Sequence, residues 1–550
     1  MDILDPLGIS SSLRRAFLSW LQDDAEFYRR LLGLYLDLQH ALMEEVLRFL
    51  SGCKEESGKD LNEVLLGIVR NNAQSCRRYH VILTDWFRSL VAEAPGLERR
   101  ERERAVFWMN QFARAFSPAN LFWMNPAAVQ KFMDSAGESI RKGFESWLED
   151  SARGDYMLKI TDGSAFRIGV NIATTPGHVV FRNDLMEIIQ YCPSTPEVYS
   201  VPIVFIQPWI NKFFIFDLSE KESFVRYLRD KGFTVFITSW KNPATELRHT
   251  TFDDYMLQGA LKAVEVAMEI CGTDKVHAAG YCIGGTALAA LMAWMNAEPQ
   301  GKSMPVLDWT LFSTLVDFSE PGEIGAFINE ETIRIVEALM ERDGYLDKNY
   351  IGMVFRLLGS ESLIWRTYIH NYLCGGTPPK SPMLYWNSDG TRLPQSMCSF
   401  YLREFYMKNS LAAGNGLILG GRPIKLESIR QSLYAVGTRQ DHICPWKGTF
   451  RTCSKTGGPA RYVLSSEGHI TGIVNPPSGT SRRKFWAGDT DGNCDPEEWL
   501  SAQQERGGSW WDDWAEWLIE KDSSLSKPPE AGGGTYPVLG NAPGVYVMEQ

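Results

Sequence analysis

The stretch that most constrains the fold is Gly280-Tyr281-Cys282-Ile283-Gly284, which ends a strand-like run, Lys275 to Ala279, and opens an uncharged, helix-favouring segment, Thr286 to Ala297. A reactive side chain held on a sharp strand-to-helix turn needs small residues two before and two after it, so that strand and helix can pass closely. Gly280, Gly284 and Gly285 meet that need. The pattern is a nucleophile elbow with sulfur in place of oxygen. A cysteine serving only as a small buried hydrophobe gives the same letters, so the rest of the chain has to decide.

Around the elbow lie short β-rich runs: Phe166 to Val170, His178 to Arg182, Val198 to Ile206, Phe233 to Trp240, Leu307 to Phe318, Leu433 to Val436 and Arg461 to Leu464. Helical patterns at Ser223 to Asp230 and Tyr255 to Ile270 separate several of them. Strand, helix, strand repetition predicts an α/β domain with a mostly parallel sheet covered on both faces. The interval from Phe318 to Leu433 is too long for one crossover and carries its own helical patterns, Glu331 to Glu341 and Ser396 to Lys408, which reads as a cap inserted over the sheet.

Before this domain the apolar residues recur at helical spacing from Ser12 to Ala152, as in Phe27, Leu31, Leu34, Leu38 and Leu42. Asn125 followed by Pro126 fits a helix cap with proline at the first helical position, after a break at Ser117-Pro118. Such faces ordinarily pack on one another; a partner or an apolar product is the alternative. The predicted organisation is an all-helical region over 1–153, an α/β domain over 154–525 with its cap at about 319–430, and a Ser/Pro/Gly-rich surface tail over 526–550.

Composition removes some functions. Acids and bases are mixed along a chain of net charge −11, so nucleic acid has no electrostatic footprint. The ten cysteines form no CxxC pair and no zinc-type cluster with histidine, which predicts reduced thiols and no metal. Met1 to Ser19 lacks the layout of a secretory signal, so an intracellular protein is expected. The uncharged run from Gly280 to Ala297 starts with glycines after a strand, which predicts a buried crossover helix and no transmembrane segment.

A thiol nucleophile needs a base, and the base needs an acid to fix its tautomer. In α/β-hydrolases the chain order is nucleophile, acid, histidine. Asp441 follows the Leu433 to Val436 run after a short loop, and His469 follows Arg461 to Leu464. Asp317, ending the Leu307 to Phe318 run, is a rival acid, and His442 a rival base, although residues as close as Asp441 and His442 align poorly as acid and partner. The oxyanion hole is predicted at the backbone N–H of Ile283 and in the loop Gln207-Pro208-Trp209-Ile210, with Trp209 as the second donor. Sulfur matters for exchange: a thiolate attacking a thioester makes another thioester of similar energy, so the acyl group stays ready for transfer to a hydroxyl.

At this point the residues resemble a family. Phe181-Arg182-Asn183-Asp184-Leu185, Gln207-Pro208-Trp209-Ile210-Asn211-Lys212, Ser239-Trp240-Lys241-Asn242-Pro243, Gly280-Tyr281-Cys282-Ile283-Gly284-Gly285, Leu384-Tyr385-Trp386-Asn387-Ser388-Asp389, Asp441-His442-Ile443-Cys444-Pro445-Trp446, Gly468-His469-Ile470 and Ala542-Pro543-Gly544-Val545-Tyr546-Val547 are similar to the polyhydroxyalkanoate synthases, in the form that carries a full N-terminal region. The resemblance implies an α/β-hydrolase fold and polymerisation of (R)-3-hydroxyacyl-coenzyme A with release of coenzyme A. It implies Cys282 as the acylated nucleophile, His469 as its base, and Asp441 helping to activate the incoming 3-hydroxyl. His442, Asn211 and Trp446 fall within matching stretches and become candidates for the substrate pocket. The family further implies no cofactor beyond the substrate, a homodimer, and a cytoplasmic place on the surface of polymer granules with the growing polyester. Gln207, where a proline is expected, and Cys444 depart from the family pattern.

Overall fold

The computed structural model describes residues 9–20, 24–52, 61–154, 157–297, 304–414, 416–478 and 481–550. It divides into two compact units: Met1–Asp162 with Gly325–Thr332 and Gly352–Lys380, and Gly163–Ile324 with Ile333–Ile351 and Ser381–Gln550. The interval read as one cap is thus shared between them.

The first unit is helical. Its sequence forms α1 (Ile9–Ser19), α2 (Asp24–Gly52), α3 (Leu61–Ala92), α4 (Arg99–Ala115), α5 (Pro126–Asp134) and α6 (Glu138–Ala152). The Asn125 side chain accepts the Ala128 N–H at 3.1 Å with Pro126 at the first helical position, so α5 starts as its sequence dictates. Ala16, Val91, Ala94 and Ala105 form a small buried core, and Phe107 and Trp108 meet Phe327 edge to face. α2 departs from the packing its spacing predicts. Phe27, Leu34 and Leu38 are half-buried, but Leu31 and Leu42 are exposed, as are Leu32 (58%), Leu36 (57%) and Met43 (63%). The helix carries more apolar surface than its neighbours in this unit cover.

The second unit is built on a sheet of eleven strands. In chain order they are β1 (Gly177–Arg182), β2 (Met186–Tyr191), β3 (Ile203–Ile206), β4 (Val235–Trp240), β5 (Val276–Tyr281), β6 (Val306–Phe312), β7 (Ser432–Thr438), β8 (Ala460–Ser465), β9 (Lys484–Thr490), β10 (Arg506–Gly507) and β11 (Gly540–Asn541). Their spatial order is β10-β9-β8-β7-β6-β5-β3-β4-β2-β1-β11, and β3 to β8 run parallel. Every residue of β4 and β5 is buried, as expected where helices cover both faces. α7 (Phe224–Asp230), α8 (Lys262–Cys271), α9 (Ile283–Asn296), α10 (Trp446–Lys455) and α11 (Trp511–Lys521) supply that cover. α11 absorbs much of the tryptophan: Trp511 stacks on Phe224 at 4.2 Å, and Trp514 Nε1 donates to Thr310 Oγ1 at 2.9 Å.

After β3 the chain steps outward to β4 and then returns past β3 to β5. That reversal makes a crevice at the carboxyl ends of the strands, where open α/β sheets bind ligands. The run Phe166 to Val170 is not a strand: Gly169 has φ +79°, and the Asn171 side chain ties Arg167 N and Ala165 O into a turn. The segment after 526 is not a free tail. β11 pairs with the edge of β1, and the buried Glu187 carboxylate accepts the Val545 and Tyr546 N–H groups at 2.9 and 3.0 Å. Arg182 pairs with the other oxygen, so the C-terminal segment completes the satisfaction of a buried charge.

Candidate active site

β5 delivers Cys282 to the carboxyl edge of the sheet with φ +53° and ψ −126°, a conformation rare outside glycine and costing about 1–3 kcal/mol. The surroundings fix it. Its N–H donates to Phe312 O at 3.0 Å, and its C=O accepts the Gly285 and Thr286 N–H groups at 3.0 and 3.1 Å as α9 begins. The glycines have the predicted reason: a Cβ on Gly280 would lie 2.5 Å from Gly285 Cα, and one on Gly284 would overlap Ile206 O at the end of β3.

The candidate acid and base stand at neighbouring strand ends. Asp441 follows β7 and His469 follows β8, and Asp441 Oδ2 lies 2.7 Å from His469 Nδ1. The Asp441 carboxyl is wholly buried. Thr438 Oγ1 donates to its Oδ2 at 2.9 Å, while the N–H groups of Ile443 and Cys444 donate to its Oδ1 at 2.9 and 2.8 Å. Burial raises this carboxyl, but the cationic His469 and these donors outweigh it and hold it below the usual range. Tyr281 holds His469 in place, its ring stacked 5.4 Å from the imidazole and its hydroxyl donating to His469 O at 3.3 Å.

Cys282 is strongly perturbed. The Cys444 thiol donates to it, and although burial opposes ionisation, the His469 cation and the Ile283 N–H add to the effect and bring it down to about 5. Burial pulls His469 down, but Asp441 and the Cys282 thiolate outweigh that and push it up to about 10. Between those limits the site rests as a thiolate–imidazolium pair. Cys444, facing the thiolate and buried, is pushed well above the ordinary thiol range.

The rival candidates make other contacts. Asp317 is occupied elsewhere: its Oδ1 accepts the Asn409 amide at 2.9 Å, and Lys455 Nζ lies 3.5 Å from its Oδ2. His442 is engaged through its carbonyl, which accepts the Glu323 N–H at 2.8 Å, and no ring contact to Asp441 replaces the one from His469. The Ile283 N–H points at the Cys282 sulfur. Trp209 sits in the loop after β3, its ring buried against Trp240, Phe252 and Tyr255 and its C=O accepting from Thr391 Oγ1 at 2.5 Å. Asn211 bridges to Gly390 and reaches Trp386 O at 3.5 Å, while Trp446 opens α10 and is capped by Lys447 Nζ 5.6 Å from its ring.

Sequence reasoning missed several neighbours. Burial pushes the phenols of Tyr401 and Tyr406, on the segment Tyr401–Met407, well above their ordinary range, the sulfurs of Cys282 and Cys444 add to the rise, and Tyr406 meets Phe318 edge to face at 4.8 Å. Both rings thus belong to the surroundings of the thiol. No spacing signal marks them, because they reach the site from the inserted interval. Cys444 stands out as a letter, three residues after Asp441, but its approach to Cys282 depends on two loops distant in sequence.

Fold and site together define an enzyme of the α/β-hydrolase fold with a thiol at the elbow. Residues 70–228 match the family model described as "Poly-beta-hydroxybutyrate polymerase (PhaC) N-terminus". Over 473 residues the chain is 38% identical to the poly(3-hydroxyalkanoate) polymerase subunit PhaC of Rhizobium meliloti (strain 1021), covering 86% of this chain and 76% of that protein. It is 36% identical over 463 residues to the subunit of the same name from Cupriavidus necator, with 83% and 77% covered, and 35% identical over 460 residues to poly(3-hydroxyalkanoate) polymerase 2 of Ectopseudomonas oleovorans, with 84% and 81% covered. The chain belongs to the poly(3-hydroxyalkanoate) polymerase family.

Proposed function

We propose that this chain polymerises (R)-3-hydroxyacyl groups from their coenzyme A thioesters, with Cys282 carrying the acyl group. The observation that carries the reading is the Cys282, His469, Asp441 line at three strand ends in a member of this family. The Cys282 thiolate attacks the thioester carbonyl, and the oxyanion is met by the Ile283 N–H and by one from the loop at Trp209. The bond to the coenzyme A sulfur breaks, and the His469 imidazolium gives its proton to the leaving thiolate. The neutral imidazole then takes the proton of an incoming 3-hydroxyl. The alkoxide attacks the Cys282 thioester, an ester forms, and the thiolate–imidazolium pair is restored. Thiol, imidazole and carboxylate suffice for these steps, and no cofactor is needed.

The contacts of Asp441 favour a narrower role than the resemblance implies. Its two oxygens already serve Thr438, His469, Ile443 and Cys444, so we assign it to His469, through which it acts on the hydroxyl. The rings of Tyr401 and Tyr406 support exclusion of water from the thioester. As partners we assign the growing polyester at a granule surface in the cytoplasm, and a second copy of the chain. The exposed Leu32, Leu36 and Met43 of α2 support attachment to an apolar polymer. Among the described residues no helix is long and apolar enough to cross a membrane.

The test is to incubate the purified chain with 3-hydroxybutyryl-coenzyme A and a longer homologue, following thiol release and polymer together. Thiol release with polymer supports the reading. Free hydroxy acid without polymer rejects it in favour of a thioesterase.

A further inference from the structure

Cys444 transfers nothing in the proposed reaction, yet its buried thiol lies beside the two groups that do. The sulfurs of Cys282 and Cys444 and a ring nitrogen of His469 lie within 4.8 Å of one another. Among the described residues this is the one group of three or more Cys, His, Asp or Glu side chains so placed. Its members follow three different strands, β5, β7 and β8, which is why no CxxC or Cys/His spacing announces it.

Two cysteines and one histidine around a point are a ligand set of zinc, with Zn–S near 2.3 Å and Zn–N near 2.0–2.1 Å, which places neighbouring donors roughly 3.5 Å apart in a tetrahedron. Donors already within 4.8 Å reach that spacing by side-chain movement of about 1 Å. The outer support is in place as well. A zinc-bound histidine typically donates its second ring N–H to a carboxylate, which fixes the tautomer and aims the other nitrogen at the ion. His469 has that carboxylate in Asp441 at 2.7 Å, and Asp441 also holds the Cys444 N–H at 2.8 Å, tying the second thiol to the same anchor. Three protein ligands leave a fourth position for water or an incoming thiol.

We propose that Cys282, Cys444 and His469 form a capture site for a thiophilic divalent cation such as Zn2+, and that the bound ion blocks acyl transfer by occupying nucleophile and base together. Starting from the thiolate–imidazolium pair, capture of one ion releases two protons, one from the Cys444 thiol and one from His469, and forms two sulfur–metal bonds and one nitrogen–metal bond. No electrons move, so a chelator reverses it. The binding half of the proposal does not depend on which acyl group the enzyme transfers.

The experiment titrates the reduced full chain with Zn2+ against a chromogenic chelator, and with Co2+ while recording thiolate-to-cobalt absorption. The unsubstituted chain should bind one equivalent with the thiolate band. Cys444→Ala should weaken binding by at least about tenfold, since loss of even an outer-shell partner typically costs 10- to 100-fold. The double variant Cys282→Ala/Cys444→Ala should lose the band. Cys444→Val, which keeps more of the volume, guards against a folding defect in Cys444→Ala, and circular dichroism checks each variant. Zinc should also stop thiol release from acyl-coenzyme A, and the chelator should restore it. Equal zinc affinity in the unsubstituted and double-variant chains overturns the site; one Cys444-dependent equivalent that leaves thiol release intact overturns the block. A Cys444-dependent site in a chain that forms no polymer from any 3-hydroxyacyl substrate would leave this inference standing and remove the proposed function.

Discussion

Asp441 and His469 meet at 2.7 Å although they belong to separate loops, because β7 and β8 run parallel and in register from Leu433 opposite Ala460 to Thr438 opposite Ser465. Parallel neighbours release their next loops on the same edge, so Asp441 and His469 emerge side by side. Replacing Asp441 by Asn keeps the shape but removes the charge that orients and supports the imidazolium. Asp441→Asn should lower elongation by about 10²- to 10⁴-fold. The first acylation should suffer less, because Cys444 and the Ile283 N–H still favour the thiolate. Asp317→Asn, which disturbs contacts to Ser319, Asn409 and Lys455, should leave elongation near its original rate. Single-turnover acylation and steady-state polymer growth separate the two variants.

The Cys282 thiol, brought down to about 5, is ionised above that pH and protonated below it. Alkylation by iodoacetamide follows the thiolate, so its rate should stay near its maximum at pH 7 and fall only as the pH drops toward 5. An ordinary thiol loses reactivity below about 8.5. Cys444→Ala removes the first contributor to the shift and should move the midpoint upward. A midpoint near that of an ordinary thiol would contradict the assigned electrostatics.

Gly284 and Gly280 are needed for space. The Cβ of Gly284→Ala would overlap Ile206 O, and that of Gly280→Ala would lie 2.5 Å from Gly285 Cα, backbone atoms that cannot rotate away. Each substitution should cost about 1–3 kcal/mol or more, read as a lower urea midpoint. Gly33→Ala, in open surroundings within α2, is the control and should not destabilise.

Much of this was legible in the letters. Glycines at 280, 284 and 285 announce the close approach, and the order Cys282, Asp441, His469 names the strand ends. What escaped depends on partners far along the chain. β2 places Glu187 and Gln190 in the interior, so its letters do not alternate. Those side chains are satisfied by Arg182 and by the segment near the C-terminus, with Gln190 accepting the Gly532 N–H at 2.8 Å. The same contacts turn an apparent tail into part of the sheet edge. Phe166 to Val170 has strand-like composition, but Gly169 and Asn171 turn it. The apolar stripe of α2 has helical spacing whether its partner lies in this chain or outside it, so spacing could not reveal that Leu31 and Leu42 are exposed.

The exposed face of α2 gives a test of the polymer partner. Leu32→Glu, Leu36→Glu and Met43→Glu together place charge on side chains that are already largely exposed, so circular dichroism and melting should be preserved. Co-sedimentation with polyhydroxybutyrate particles should fall severalfold. Undiminished co-sedimentation would move attachment to another surface.

The central claim is that Cys282 holds the acyl group, and trapping that group is its most direct measurement. The chain is mixed briefly with a 3-hydroxyacyl-coenzyme A, quenched in acid, digested and read by mass spectrometry. The account predicts a hydroxylamine-labile acyl adduct on the peptide bearing Cys282, absent in Cys282→Ala, which also forms no polymer. An adduct on another residue, or polymer made by Cys282→Ala, would contradict it.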